Sequence, residues 1–240
     1  MKNLFTAASA FILGVGAGWL IQGRHWDVFL TSYIPALATL LAAFYGAKYA
    51  FQFQKDKELE DIKKRNLVSA NASIFALSRM ANNLFIYQRD VINTVRNSPG
   101  RFLELRPTLD LEKEYVQLNF DTLAFLLETE HMNLLGEVIA ETEKYRSAID
   151  AINGRSRLHL QTIQPQLEQA SFPAQNQISI QQIEECLGDR LTTTLRESTD
   201  QVIEHVDSAI ISLKDVADRL RRSIKLLYPN DKVIGFSLPE

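Results

Sequence analysis

The most constraining feature of this 240-residue sequence is a pair of long runs without a charged residue at its start. The first run covers residues 4–21, the second covers residues 28–47, and only residues 22–27 separate them. A helix needs about 20 apolar residues to cross a hydrocarbon core roughly 30 Å thick. Because a short connection makes neighbouring helices antiparallel, residues 1–53 are predicted to form a two-helix transmembrane hairpin.

Two other interpretations of the first run are open. A secretory signal peptide also begins with a cation, here Lys2, and continues with an apolar stretch and small residues. The run is long for that purpose, however, and its last part, "GVGAGWLIQG", offers no clean A-x-A cleavage site before the second run begins. Buried helices of a soluble protein are a weaker alternative, since two adjacent charge-free runs of this length are typical of membranes.

The distribution of cations predicts the orientation of the hairpin. The connection between the runs contains only Arg24, whereas several cations follow the second run: Lys48, Lys55, Lys57, Lys63, Lys64 and Arg65. Cytoplasmic flanks are enriched in lysine and arginine, so both termini are predicted to be cytoplasmic. Aromatic side chains favour the membrane interfaces. Trp19 and Trp26 are then expected at the outer interface, and Tyr45 and Tyr49 at the inner one.

Small residues repeat at a spacing of four in both runs. Gly14 and Gly18 form a GxxxG pair in the first run, and the second run carries Ala38, Ala42 and Gly46. This spacing places the small residues on one helix face, where helix backbones can approach closely. The two stripes either pack the hairpin against itself or join several copies of the chain. Both contacts can coexist, and we expect a homo-oligomer.

Residues 54–240 show the three-and-four spacing of apolar residues that is typical of helices. The first seam consists of Leu67, Ala70, Ile74, Leu77, Ala81, Leu84, Gln88, Val91 and Val95. The second consists of Leu195, Thr199, Val202, Val206, Ala209, Leu213, Val216, Leu220, Ser223 and Leu227. Such seams predict an elongated cytoplasmic helical bundle, and the chain as a whole is predicted to be an all-α membrane protein.

Helix boundaries are predicted from breaker and capping residues. Asn153 and Gly154 are expected to end one helix, and Pro165 and Pro173 predict a broken helix and a mobile loop over about residues 155–178. Ser179 and Gln182 form a possible capping box at the start of the last helical region. A short strand at residues 232–236 is the one candidate for β-structure.

The sequence shows no pattern that predicts catalysis, a cofactor or a metal site. Glu128 and His131 form a single Glu-x-x-His, which is more typical of a solvated pair than of a metal site. Gly14, Gly16 and Gly18 lie inside an apolar run, where a dinucleotide loop has no place. Cys186 is the only cysteine, so no internal disulfide can form. We therefore do not expect an enzyme.

The charge pattern excludes a strongly basic protein. The net charge is −3, so direct binding of nucleic acid is not expected. Residues 110–150 are rich in acids, whereas residues 214–225 are locally basic. Complementarity within the chain is the simpler explanation, and docking of a basic partner on the acidic helices is the alternative.

The layout as a whole resembles a known class of protein. A hairpin at the N-terminus, the exit sequence "AFYGAKYAFQFQ" and a helical body are similar to the two-transmembrane effectors of bacterial retron-type anti-phage systems. The resemblance implies a protein of the bacterial inner membrane that damages this membrane after infection. It also implies a protein partner, a reverse transcriptase with its RNA–DNA product, which holds the effector inactive. The rival hypothesis is a membrane-anchored scaffold or sensor that recruits cytoplasmic partners without lytic activity.

Overall fold

The structure, a computed structural model, describes residues 31, 34–109, 111, 118–170 and 178–235, and all the regular secondary structure in this part of the chain is helical. The all-α prediction is confirmed for these residues. The chain divides into two compact units, Met1–Ile62 and Lys63–Glu240. The first predicted span, residues 4–21, lies outside the described residues, so the hairpin and its boundary at residue 53 stay predictions.

The first described helix, α1, is the longest and covers Ile34–Tyr87. Pro35 falls in its first turn, where a missing backbone N–H is tolerated, and no other proline occurs before Pro99. The helix passes into a π-helical turn, Gln88–Ile92, in which the Asn93 N–H donates to the Gln88 carbonyl. A last turn, Asn93–Val95, ends shortly before Pro99, which cannot donate a helical backbone hydrogen bond.

Six further helical segments follow among the described residues. A short helix α2 covers Arg101–Glu104, and a 3₁₀-helix covers Phe120–Glu128. Helix α3 covers Met132–Leu158 and continues through a π-helical turn, His159–Ile163, into α4, Gln164–Gln169. Helix α5 covers Ile180–Leu227. Residues 232–235 form no strand, so within them the predicted β-segment is wrong.

The predicted mobile loop over residues 155–178 is wrong for residues 155–169, which are helical. Asn153 does not cap a helix end, because its side chain is buried and hydrogen-bonds the backbone of Leu111. Pro165 follows a π-helical turn and occupies the first turn of α4, where its missing N–H costs little. Residues 171–177 lie outside the described residues.

Helix α5 begins as predicted and then bends. Ser179 Oγ accepts from the Gln182 N–H, and the Gln182 side chain accepts from the Ser179 N–H, which confirms the capping box. Gly188 interrupts the helical backbone with φ 73° and ψ 161°, a conformation essentially restricted to glycine. The bend lies about two and a half turns after the cap, and the second seam runs through the long part of α5 that follows.

The two predicted seams form the main core of Lys63–Glu240. Ala70, Ile74 and Leu77 of α1 are at most 1% exposed, and Val202, Val206 and Leu213 of α5 are fully buried. Helix α3 contributes Val138, Ala148, Ile149 and Ile152 to the same core. A smaller cluster of Phe102, Ile163, Leu187 and Leu195 lies under α2, the second π-helical turn and the start of α5.

Polar contacts show how the three long helices run within Lys63–Glu240. Asn66 Nδ2 donates to the Tyr228 hydroxyl at 3.2 Å, and Gln88 Nε2 donates to Asp207 Oδ1 at 2.6 Å. The part of α1 at the start of this unit therefore meets the end of α5, and the end of α1 meets an earlier part of α5. The two helices are antiparallel. Helix α3 is also antiparallel to α5, because its Glu137 pairs with Arg219 near one end and its Arg155 contacts Thr199 near the other.

Two leucine-sized residues of α5 provide a matched test of the core. Leu213 is fully buried, whereas Ile211 is 70% exposed on the same helix. Leu213→Ala should lower the free energy of unfolding by about 2–5 kcal/mol, because it removes buried methylene groups and leaves a cavity. Ile211→Ala should change it by less than about 0.5 kcal/mol. Chemical denaturation followed by far-ultraviolet circular dichroism measures both, and equal losses would contradict the assigned core.

Candidate functional site

The first candidate site is the apolar surface at the start of α1. The described residues contain one helix that is long and apolar enough to cross a membrane, and its most apolar 18-residue window is entirely unburied. Every residue from 34 to 62 is exposed, including large side chains such as Leu40, at 60%, and Phe53, at 74%. Continuous apolar surface of this extent marks a site that lipid or another protein covers.

The small residues of the predicted packing stripe lie in this helix. Ala38, Ala42 and Gly46 are exposed, and a Cβ atom added at Gly46 would meet no atom within 4 Å. In the described part of the chain the stripe therefore has an open surface at Gly46. Thr39 Oγ1 donates to the Pro35 carbonyl at 2.8 Å, so its hydroxyl is satisfied within the helix, as a lipid environment demands.

The predicted interface aromatics fall at the end of the apolar stretch. Tyr45 is 50% exposed and Tyr49 is 69% exposed, and the ring of Phe44 packs edge-to-face on that of Tyr45 with 5.6 Å between centroids. The remaining predicted residues of this site, Gly14, Gly18, Trp19 and Trp26, lie outside the described residues. The roles of all these residues in packing and anchoring stay predictions.

The second candidate site is a polar cluster in the unit Lys63–Glu240, called the helical unit below. It lies where the first π-helical turn meets α5, and Asp207 of α5 is its first component. Arg96 donates to both carboxylate oxygens of Asp207, at 2.7 and 2.8 Å, and Gln88 supplies a third donor. These hydrogen bonds hold the pKa of Asp207 below its ordinary value, the bond from Arg96 contributing most. The carboxylate therefore links the first π-helical turn and the end of α1 to α5.

Arg155 of α3 is the second component and is buried to 2% exposure. Its Nη2 donates to the Phe102 carbonyl at 2.9 Å, and its Nε donates to Thr199 Oγ1 at 3.4 Å. Its Nη1 has no hydrogen-bond partner, and no carboxylate pairs with it among the described residues. A buried guanidinium without an acid is costly, because desolvation of a cation is only partly offset by neutral acceptors.

Burial also shifts the pKa values of two groups near Arg155, which are Tyr87 and His159. Desolvation lowers the pKa of Arg155 to about 10 and raises the pKa of Tyr87 to about 12, although the charge of Arg155 counteracts the latter. The pKa of His159 is lowered by desolvation first and by the charge of Arg155 second. His159, one turn after Arg155, is therefore held neutral near pH 7.

The cluster contains more buried polar atoms than its hydrogen bonds satisfy. In the part of the chain that the structure describes, Arg155 Nη1 and His159 Nδ1 are buried without a partner. Arg196 covers the ring of Phe102, whose carbonyl accepts from Arg155, with its guanidinium carbon 3.9 Å from the ring centroid. This arrangement can respond to protonation or to an incoming acceptor, and it stores an unfavourable electrostatic contribution in the folded state.

Sequence reasoning missed this cluster. The pair Asn153 and Gly154 predicts a helix end, and Arg155 would then lie in a loop. The signal was present in the spacing, because Ala148, Ile152, Arg155 and His159 follow the three-and-four pattern of the buried α3 face. The Glu-x-x-His pair, by contrast, lies at the junction between two helices, with Glu128 exposed and His131 before α3. Within the described residues no group of three metal-ligating side chains comes together.

Comparison with known proteins adds no assignment. No protein family, curated protein or solved structure shows significant similarity to this chain. The functional argument accordingly rests on the residues themselves.

His159 predicts a loss of stability in mild acid. Its pKa in the folded chain is lowered from the ordinary value of 6.5, so below that pH the unfolded chain takes up a proton more readily than the folded chain. Stability should therefore fall as the pH is lowered through about 6.5, where the imidazole of the unfolded chain becomes protonated. His159→Gln should reduce this fall in thermal unfolding experiments, and an unchanged pH dependence would contradict the assignment.

Arg155 predicts that removing a buried polar side chain stabilises the protein. Arg155→Met should raise the free energy of unfolding by about 1 kcal/mol, because the desolvated cation is replaced by an apolar chain of similar length. Arg155→Lys retains the charge but loses the guanidinium geometry, and it should be destabilising. Chemical denaturation of both variants measures the difference. A loss of about 3 kcal/mol or more in the Met variant would show that Arg155 has a charged partner.

Proposed function

We propose that the protein is a membrane effector whose N-terminal hairpin permeabilises the bacterial inner membrane when the helical unit receives an activating signal. The uncovered apolar stretch of α1 carries this proposal, because its exposure to water is unfavourable by about 25 cal/mol per Å² of apolar surface. The orientation with both termini in the cytoplasm is supported by the cations that follow the stretch.

The proposed mechanism uses the small-residue stripes. The hydrophobic effect does not drive helices together inside a bilayer, because the lipid tails are as apolar as the side chains. Close backbone packing at small residues stabilises the association instead. Gly14 and Gly18 of one span and Ala38, Ala42 and Gly46 of the other provide two such faces. One face packs the hairpin and the other joins copies of the chain into a homo-oligomer that disturbs the bilayer.

The proposed regulation follows the resemblance to retron effectors. A partner, a reverse transcriptase with its RNA–DNA product, holds the helical unit in an inactive state, and infection releases it. Residues 110–150, which are rich in acids, offer a surface to a basic partner, and Asp150 is exposed on α3. Other acids of α3 already have partners within the chain: Glu137 pairs with Arg219, Glu141 with Lys144 and Glu143 with Arg146.

A glycine exchange tests the lytic role. Gly14→Leu combined with Gly18→Leu should abolish growth arrest in expressing bacteria and dye leakage from proteoliposomes, because leucine keeps helix backbones apart. Gly16→Leu is the matched control, since helical spacing would place residue 16 on the opposite side of the predicted span from residues 14 and 18. Full leakage by the double variant at equal incorporation would contradict the proposal.

A hairpin exchange separates this function from its rival. A scaffold or sensor needs its spans only as an anchor, so replacing residues 1–53 with an unrelated two-span anchor should preserve its activity. An effector should lose activity while remaining in the membrane. Protection against phage infection and membrane fractionation provide the two measurements, and retained protection by the exchanged protein would favour the scaffold.

A further inference from the structure

We propose that one end of the helical unit is a docking surface for anionic lipid headgroups. This surface, called the basic end below, consists of residues 63–71 of α1 and residues 221–235 at the end of α5 and beyond. The inference depends on the membrane location proposed above and adds a second membrane contact to it, made by the helical unit itself.

The fold brings these two segments together although about 150 residues separate them. Besides the contact of Asn66 with Tyr228, Lys63 Nζ forms an ion pair with Asp231 at 2.6 Å. Asn71 binds the returning chain twice, since its Nδ2 donates to the Lys232 carbonyl at 3.4 Å and its Oδ1 accepts from the Ile234 N–H at 3.0 Å. Residues 231–234 are therefore held against the start of the helical unit.

The charge of the basic end is opposite to that of the whole chain. Its two segments contain seven lysines or arginines and one aspartate, a formal charge of +6, in a chain whose net charge is −3. The cations are Lys63, Lys64, Arg65, Arg221, Arg222, Lys225 and Lys232. The single acid, Asp231, is already engaged by Lys63. The nearest acid of α5 outside these segments, Asp218, lies one helical turn before Arg222.

The cations face solvent. Arg65, Arg221, Arg222, Lys225 and Lys232 are all exposed. The Lys225 ammonium also donates to the Asp231 carbonyl at 2.7 Å, which positions it beside the returning chain. Exposed apolar side chains lie among these charges, with Leu226 at 70% and Ile234 at 39%. A mixture of cations and exposed apolar groups is the composition that binds the interface of an anionic bilayer.

The position of the basic end along the chain selects lipid as its occupant. Lys63 follows Phe53, the last residue of the predicted hairpin, by only ten residues. Cations that lie just cytoplasmic of a transmembrane helix are attracted to anionic headgroups by about 1 kcal/mol each within a Debye length. The first segment follows the predicted hairpin closely in the sequence. The second, Arg221 to Gly235, joins the first only because α5 returns antiparallel to α1 within Lys63–Glu240.

The test uses the full chain carrying Cys186→Ser and Leu226→Cys, labelled with a fluorophore at residue 226. It is reconstituted in vesicles of phosphatidylcholine alone or mixed with phosphatidylglycerol, and quenching by brominated lipid is measured. A second label at Ile211→Cys, on an exposed site of the same helix away from the basic end, controls for non-specific contact. We expect quenching at residue 226 only in the mixed vesicles, and none at residue 211.

Charge variants identify the cause. Arg222→Gln with Lys225→Gln should shift the docking equilibrium by about thirtyfold towards the undocked state, from roughly fivefold for each lost cation. Arg190→Gln with Lys214→Gln removes two exposed cations of α5 outside the basic end and should leave quenching unchanged. Circular dichroism checks that both variants remain folded.

The opposite results overturn the inference. These are equal quenching in both vesicle types, loss in the Arg190 and Lys214 variant, or an acidic peptide bound in place of lipid. The test is independent of lysis, because quenching without dye leakage would support the basic end while contradicting the lytic function. A chain that fails to float with vesicles of either composition would contradict the membrane location and the docking surface together.

Discussion

The structure of Lys63–Glu240 depends on the removal of two apolar stripes from water. The stripe of α1 and the stripe of α5 supply the main core together with one face of α3, and each fully buried leucine or isoleucine contributes about 1.5–3 kcal/mol. The antiparallel arrangement of α5 follows from burying both stripes at once. The polar contacts at either end, from Asn66 to Tyr228 and from Gln88 to Asp207, become possible only in that arrangement.

Polar residues within the stripes restrict how the helices pair. Gln88 occupies a seam position of α1, yet its side chain and Arg96 both bind Asp207, so sliding α5 by one turn would leave a partly buried carboxylate without donors. Arg155, by contrast, lowers the stability of the fold. Its cation is buried beside Tyr87 and His159, and its Nη1 has no hydrogen-bond partner in the described structure. A side chain that costs stability at a buried position is a reason to look for a functional role there.

The helix α1 has two different surroundings. Residues 34–62 are exposed and begin with the apolar stretch. After Lys63 the side chains become partly buried, and Ala70 is the first that is fully buried. Periodicity was sufficient to predict this change, because a run that is apolar on all sides suits lipid and a run that is apolar on one side suits a protein core. Periodicity was also sufficient for both seams. At Asn153 and Gly154 the periodicity continues, although this pair is typical of helix ends. The helix continues because the Asn153 side chain is buried and hydrogen-bonds Leu111.

By itself the sequence determined the helical class, the two seams, the capping box at Ser179 and the position of the apolar stretch, because each depends on neighbours within a few turns of the chain. Only the tertiary structure decided which distant groups meet. It placed the end of α5 beside Lys63 and so joined two modest groups of cations into one basic end, and it buried Arg155 between α2, α3 and α5. Both outcomes depend on long-range packing, which local propensity and charge counting do not contain.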